Sequence, residues 1–310
     1  MKTVLLLGGF GFIGTNLLKY IDKNTQSEFK VLVFDKISSH PHGLKFQCVQ
    51  KTYAGDFANE TVLESIFADN KIDLVIHLLT STIPLSTSTA QYDVETNLIP
   101  TIKLLDIMKK HNVHDIVFMS SGGAIYGDVL QKVHNEEDAV YPKSSYGIVK
   151  LAIEKFLLYY SELYNFNTLI LRLSNPYGPY HYNDKQGVIN IAVRKALSNQ
   201  IFQIWGDGNG IKDYIYIDDV CSIILKLIKN DIETGVYNIA ASEALSVNDI
   251  VDAIKEYIPS FETEHLQAST NDVQSFELDI TKLRRRLGGG MKRTRFTEGL
   301  EKTIKWQKGQ

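Results

Sequence analysis

Short apolar runs recur along the first half of the chain, at Val4–Leu7, Lys30–Phe34, Phe46–Val49, Leu74–Leu78, Ile116–Met119 and Leu169–Leu173. They are rich in Val, Ile, Leu and Phe and do not alternate with polar residues, which is the pattern of strands buried on both faces of a parallel sheet. Between them, apolar positions return at helical spacing over Ile13–Ile21, Asn59–Phe67, Val94–Lys110 and Tyr146–Tyr164. Strand, helix, strand in repetition predicts a doubly wound α/β fold.

Past Leu173 the rhythm becomes irregular. A loop rich in Pro, Gly and Tyr (Asn175 to Tyr182) leads to a helix near Val188–Leu197 and a glycine-rich loop from Gly206 to Gly210. A strand at Tyr214–Ile217 follows, then helices near Val220–Lys229, Val247–Tyr257 and Phe296–Trp306. The division expected is 1–174 as the doubly wound sheet domain and 175–310 mainly as a smaller C-terminal lobe, some of whose segments can return to the sheet. Ligands of open α/β sheets bind outside the carboxyl ends of the strands, so such a lobe would close over the site.

Composition narrows the class. With 310 residues, 44% of them apolar and 22% charged, the chain can bury a sizeable core. A formal net charge of -3 carries no basic footprint for nucleic acid. Cys48 and Cys221 form neither a disulfide framework nor a metal spacing, and two lone cysteines fit a reducing, cytoplasmic setting. The first apolar run is too short for a signal peptide, and no stretch reaches the roughly 18 apolar residues of a membrane span. Asn59-Glu60-Thr61 matches a glycosylation sequon, accidental in such a compartment.

Directly after the first strand stands Gly8-Gly9-Phe10-Gly11-Phe12-Ile13-Gly14. Glycines at this spacing permit a tight turn, close backbone approach to a pyrophosphate and close helix–strand packing. The phosphates would rest on the helix N-terminus, where N–H groups and the dipole favour anions. Asp35 ends the second strand about 20 residues later, where an acid hydrogen-bonds a ribose 2′-hydroxyl and repels a 2′-phosphate. NAD is therefore expected rather than NADP.

Tyr146 and Lys150 lie four apart at the start of a helix, on one face. A tyrosine with a pKa of about 10 is a poor base, but a neighbouring ammonium and a cationic nicotinamide would lower it. Such a pair can take a proton from a hydroxyl while a hydride leaves. The third element is Ser120-Ser121-Gly122-Gly123-Ala124-Ile125-Tyr126-Gly127, at the carboxyl end of the fifth strand, where a serine could orient the reacting oxygen.

Taken together, these residues resemble the extended short-chain dehydrogenase/reductase family, in particular its NAD-dependent nucleotide-sugar epimerases and dehydratases. GGFGFIG, Asp35, Gly55-Asp56, Val75-Ile76-His77-Leu78, Asn97, SSGGAIYGD, YGIVK, RLSNPYGP, WGDGNGIKDYIYIDDV and YNIA fall in the family's order over nearly the whole chain. The resemblance implies a Rossmann sheet that holds NAD through Gly8, Gly11, Phe12, Ile13, Gly14, Asp35, Asp56, Phe57, Leu78, Asn97, Tyr146, Lys150 and Pro176. Asp56 would meet the adenine, and Tyr146 would act as base with Lys150 as its electrostatic partner. The substrate would be held by Thr82, Ser121, Gly122, Tyr146, Asn175, Val188 and Lys212, with Gln186–Asn190 along the nucleotide.

Three departures stand out. Counting back from Tyr126, the family's catalytic Ser/Thr position falls on Gly122, so Ser121 is the expected catalytic serine. Lys212 stands where an arginine is common, and no basic residue precedes Asp272-Val273; Arg194 and Arg284–Arg286 are alternative phosphate ligands, the latter run reading more simply as a solvated face. The Asp-Glu pair of the 4,6-dehydratases is replaced by Gly123 and Ala124, which argues against dehydration. The pairs His40/His42 and His111/His114 lack any supporting ligand pattern, so no metal is expected.

The expected reaction is therefore 4-epimerisation of a UDP-hexose or UDP-N-acetylhexosamine with NAD retained throughout. A keto-reductase of 4-keto-6-deoxy nucleotide sugars is the alternative, and a non-catalytic NAD(H)-binding regulator a third. The resemblance also implies a homodimer built on the helices Val94–Lys110 and Tyr146–Tyr164.

Overall fold

The computed structural model describes residues 1–25, 28–82, 89–127, 133–229, 232–267, 275–288, 291 and 293–310. Asp128 and the Ala268–Val273 segment considered above lie outside the described residues. The first half runs β1 (Lys2–Leu7), α1 (Phe12–Asn24), β2 (Phe29–Asp35), β3 (Val49–Ala54), α2 (Glu60–Asp69), β4 (Leu74–His77), α3 (Ala90–Asp93), a π-helical turn (Val94–Leu98), α4 (Ile99–Lys110) and β5 (Asp115–Ser121). Then come α5 (Gly122–Ile125), β6 (Val133–His134), α6 (Ser145–Tyr164), β7 (Asn167–Leu173), β8 (Asn175–Tyr177), α7 (Val188–Leu197), β9 (Phe202–Trp205) and β10 (Ile211–Tyr216). The chain finishes with α8 (Ile217–Lys229), β11 (Gly235–Ile239), β12 (Ala244–Ser246), α9 (Val247–Tyr257), β13 (Thr263–Leu266), β14 (Glu277–Leu278), α10 (Thr281–Arg286) and α11 (Phe296–Lys308).

Seven strands form one sheet in the order β11-β7-β5-β4-β1-β2-β3, every pair parallel. Strand order reverses between β1 and β4, which opens a crevice at their carboxyl ends. One face buries Val4, Leu6, Val31 and Val33 against α1 and α8. The other buries Leu5, Leu7, Leu32 and Phe34 with apolar residues of α2, α4 and α6. Dispersing both faces of each strand into apolar surroundings is why these runs do not alternate. A separate cluster, with Tyr177, Ile189, Ile204, Tyr214, Ile250 and Leu300, joins α7, α9 and α11 over β8 to β10.

Three expectations shift. Phe46–Val49 is not a strand; the pairing begins at Val49 and runs to Ala54. β3 is the sheet edge, half-exposed, so it carries polar residues and does not read as a buried run. The helix expected over Val94–Lys110 is interrupted by the π turn, because Pro100 has no N–H to return to the carbonyl four residues back. The loop expected from Asn175 contains β8, which pairs with β10. The Tyr237-Asn238-Ile239 segment, within the second half, is the strand β11 and extends the central sheet beyond β7. Among the described residues no helix is long and apolar enough to cross a membrane.

Candidate active site

The glycine loop joins β1 to α1 at the crevice. Gly8 adopts φ +82, a conformation that favours glycine, and its N–H donates to the Phe34 carbonyl at 2.8 Å. A Cβ on Gly14 would sit 2.4 Å from the Gly8 carbonyl oxygen, so this glycine lets helix and loop touch. Gly11 is different: a Cβ there would meet nothing nearer than 3.4 Å, leaving open space in front of α1. Gly11 is also the N-cap and has no side chain to satisfy the N–H groups of Phe12, Ile13 and Gly14. The Asp35 carboxylate accepts from the Phe10 N–H (2.9 Å) and the Lys36 N–H (2.8 Å), pinning the loop while keeping lone pairs for a hydroxyl. An uncapped helix start with an open Gly11 and a carboxylate alongside fits a dinucleotide.

The further cofactor candidates follow the crevice. Asp56 is exposed after β3 and accepts from the Ala58 N–H at 2.9 Å. Phe57 is buried, its ring 5.1 Å from that of His77. Leu78 leaves β4 with its N–H on the Leu7 carbonyl (3.0 Å), beside Gly8. Asn97 lies in the π turn and accepts from the Ser81 N–H at 2.8 Å, holding the segment that carries Thr82. Pro176 is half-buried on β8, in register with Ile215.

Tyr146, Lys150, Asn97 and Thr82 meet around a cavity of ≈ 10 Å³, also bordered by His77 and Thr101. Such a volume matches about one water molecule. His77 Nε2 shares a hydrogen bond with Thr101 Oγ1 at 3.0 Å; burial first, and the Lys150 charge second, pull its pKa to about 3. His77 is therefore a neutral packing residue.

Ser144 caps α6 by accepting from the Gly147 N–H at 3.1 Å, which sets Tyr146 in the first turn. The Ser121 hydroxyl, at the end of β5, hydrogen-bonds the Tyr146 phenol. Lys150 Nζ donates to the Met119 carbonyl at 2.8 Å and lies 5.8 Å from the Tyr146 ring centroid. The expected lowering of the Tyr146 pKa by Lys150 is not what this arrangement gives. Burial raises the phenol to about 12 against the Ser121 hydrogen bond, and burial lowers Lys150 to about 7 against the pull of Glu154. Desolvation is the largest cause of both shifts.

The anomaly at position 122 has a tertiary cause. A Cβ on Gly122 would lie 2.5 Å from Leu278 Cδ1, and one on Gly123 would lie 2.9 Å from the Phe276 ring. The segment carrying β14 thus packs directly on these two glycines and leaves little room for a side chain at either. Gly122→Ser is expected to cost about 1–3 kcal/mol through overpacking, read as a lower urea midpoint, and Leu278→Ala to recover part of it. A Gly122→Ser protein as stable as the natural one would show that Leu278 moves aside freely.

On the lobe side, Asn175 Nδ2 donates to the Asp213 carbonyl at 2.9 Å, and Lys212 lies on β10, two residues before the position opposite Asn175. Val188 opens α7 next to Gly187, where a Cβ would meet the buried His181 ring at 2.4 Å; that ring stands edge-on to Phe12, 4.5 Å between centroids. Val188 itself packs on the core of the lobe. Asn190 is not offered to a ligand: it is fully buried and bonds both backbone groups of Gly178. Arg194 is engaged by the Asn183 carbonyl (3.0 Å) and Asp184 (3.4 Å), and Arg286 by Glu233 (3.1 Å). Among the described residues no group of His, Cys, Asp and Glu could hold a metal ion.

Two residues outside the candidate set prove central. Glu154 and Arg172 form a buried ion pair (2.8 Å) directly behind Lys150. A carboxylate eight residues past Tyr146 on the same apolar helix face was the available signal.

The sequence matches the NAD dependent epimerase/dehydratase family over residues 4–240. A provisionally named UDP-glucose 4-epimerase of Methanocaldococcus jannaschii is 31% identical over 98% of both chains. The UDP-glucose 4-epimerase of Thermotoga maritima, solved with UDP-glucose, superimposes with a TM-score of 0.90 at 30% identity over 99% of both chains. The Thermus thermophilus UDP-glucose 4-epimerase complex with NAD gives 0.89 at 25% identity, again over 99% of both. The chain belongs to the NAD-dependent epimerase/dehydratase family, and NAD is its cofactor.

Proposed function

We propose that the protein interconverts the two carbon-4 epimers of a UDP-hexose or UDP-N-acetylhexosamine. The observation that carries this is the Ser121–Tyr146 hydrogen bond beside Lys150, with glycine and alanine where a dehydratase needs its acid pair. The Phe276 ring leaves no room for a carboxylate at Gly123, so elimination of water lacks its catalysts. The UDP-sugar 4-epimerases among the related structures, including a UDP-N-acetylglucosamine 4-epimerase of Methanobrevibacter ruminantium at 25% identity, support the same reading.

When bound, NAD supplies the hydride acceptor and donor. Tyr146 takes the proton of the sugar 4-hydroxyl and returns it after the 4-keto sugar has turned over, so one group serves both directions. Ser121 orients that oxygen. Protonated Lys150 stabilises the phenolate and holds a ribose hydroxyl. Asp35 selects the unphosphorylated ribose, Asp56 and Phe57 the adenine side, and Asn175, Val188 and Lys212 the nucleotide sugar.

The test is to denature protein purified without added cofactor, assay the supernatant for NAD(H), and incubate native protein with UDP-glucose and UDP-N-acetylglucosamine. Bound NAD and appearance of the galacto isomers are expected. No isomer, but consumption of added NAD(P)H on a 4-keto sugar, would replace this reading with a reductase, as in a relative named dTDP-4-dehydro-6-deoxyglucose reductase at 29% identity over 81% of the chain.

We also propose a homodimer through α4 and α6. Ile148, Tyr159 and Leu163 are each at least half exposed on α6, an apolar stripe that water disfavours. Light scattering should report twice 35.0 kDa, and Leu163→Asp should yield the monomer. A natural protein that elutes as a monomer would end this proposal.

A further inference from the structure

We infer that Glu154, gripped by Ser120 and Arg172, is a positioning residue that keeps Lys150 charged and ties the catalytic helix to the strand end carrying Ser121. This rests on the reading of Tyr146, Lys150 and Ser121 as the reacting groups. Residues 146, 150 and 154 succeed one another at four-residue steps and so share one stripe of α6.

Glu154 is 1% exposed. A carboxylate so buried persists only if its lone pairs are claimed by strong donors. Ser120 Oγ donates to Glu154 Oε1 at 2.6 Å. Arg172 donates to the same oxygen through Nε at 3.1 Å and to Oε2 through the second guanidinium nitrogen at 2.8 Å. Arg172 reaches onward to the Tyr126 hydroxyl at 3.0 Å, and that hydroxyl donates to Asn238 Oδ1 at 2.8 Å. The network therefore links β5, the turn after α5, α6, β7 and β11. Ser120 precedes Ser121 and Tyr126 follows the glycine turn, so the segment that presents Ser121 is clamped on both sides.

The surroundings of Lys150 leave this role to Glu154. From α6, Tyr146 faces it and is neutral in the resting protein. From β4 comes neutral His77, and from the π turn and α4 come the uncharged Asn97 and Thr101. Arg172 on β7 lies behind the Glu154 carboxylate, and α3, packed on α6, carries the buried Asp93. Glu154 is the group whose charge opposes the loss of the Lys150 proton, whose midpoint burial has brought to about 7.

The experiment uses the protein with its bound NAD, labelled with ¹³Cε-lysine, the Lys150 resonance being identified by its loss in Lys150→Met. In Glu154→Gln, which keeps the shape and the Ser120 contact, the Lys150 titration midpoint should fall by about 1 pH unit or more. Glu154→Asp should restore most of it. The limb of the kcat profile on the UDP-sugar that follows Lys150 should move to lower pH by the same amount. If Glu154→Gln does not fold, Glu154→Gln/Arg172→Met removes both buried charges together and should show a fall in the same direction. An unchanged midpoint in a folded variant overturns the inference, whatever happens to kcat. The resonance needs no substrate, so absence of turnover in the natural protein would sink the proposed function without touching this readout.

Discussion

Tyr146→Phe is expected to lower turnover in the proposed epimerisation by about 10²–10⁴-fold while leaving the fold and the bound NAD in place. In the proposed reaction the phenol is the proton carrier at the reacting oxygen, since an un-ionised serine hydroxyl such as that of Ser121 offers no base at neutral pH and Lys150 Nζ is turned to the Met119 carbonyl. In the resting protein burial holds Tyr146 protonated, up to about 12, so the phenolate must be formed by charges assembled around it on binding. Phenylalanine keeps the ring and its packing but loses the oxygen bonded to Ser121. Turnover, NAD content per chain and circular dichroism should be measured together. A variant within tenfold of the natural kcat would mean that another group moves the proton.

The second large effect is expected at Gly14, with Gly11 as its control. At Gly14 an alanine methyl would press on the Gly8 carbonyl oxygen at 2.4 Å and on the Gly9 backbone at 2.7 Å, atoms that cannot rotate away. The loop must open, so Gly14→Ala should purify without NAD, show no turnover and melt earlier, by about 1–3 kcal/mol. Gly11 has φ -74 and only one neighbour at 3.4 Å, so Gly11→Ala fits the protein itself. Its methyl would instead occupy the space where the pyrophosphate approaches the uncapped start of α1. Gly11→Ala should therefore match the natural melting temperature of the NAD-free protein yet bind NAD at least about tenfold more weakly, a loss of about 1.4 kcal/mol. Calorimetric titration with NAD checks this. Affinity for NAD in Gly11→Ala equal to that of the natural protein would remove the phosphates from this loop.

How much of this was legible beforehand varies with the kind of constraint. The central strands were readable because both faces of the sheet are covered, which forces unbroken apolar runs such as Leu5-Leu6-Leu7. β3 was misplaced because an edge strand is solvated and carries Gln50, Lys51 and Thr52. β8 and β14 escaped because strands of two or three residues have no periodicity to read. The π turn was hidden within a helical pattern that Pro100 interrupts by one missing N–H.

By itself the sequence determined whatever depends on neighbours along the chain: the glycine loop with Asp35 one unit later, and the phenol and amine one helical turn apart on α6. Local backbone geometry makes those placements, and it is nearly independent of the rest of the fold. Only the tertiary structure gave the reason for a glycine at 122, because Leu278 arrives from a distant segment to fill the space beside it. It alone also decided that Glu154 is buried against Arg172, since a charge on a helix reads as solvated until a partner from another strand buries it. Protonation states follow the same rule: they are set by desolvation and by charges converging from α6, β4 and β7, and these distances exist only once the chain has folded.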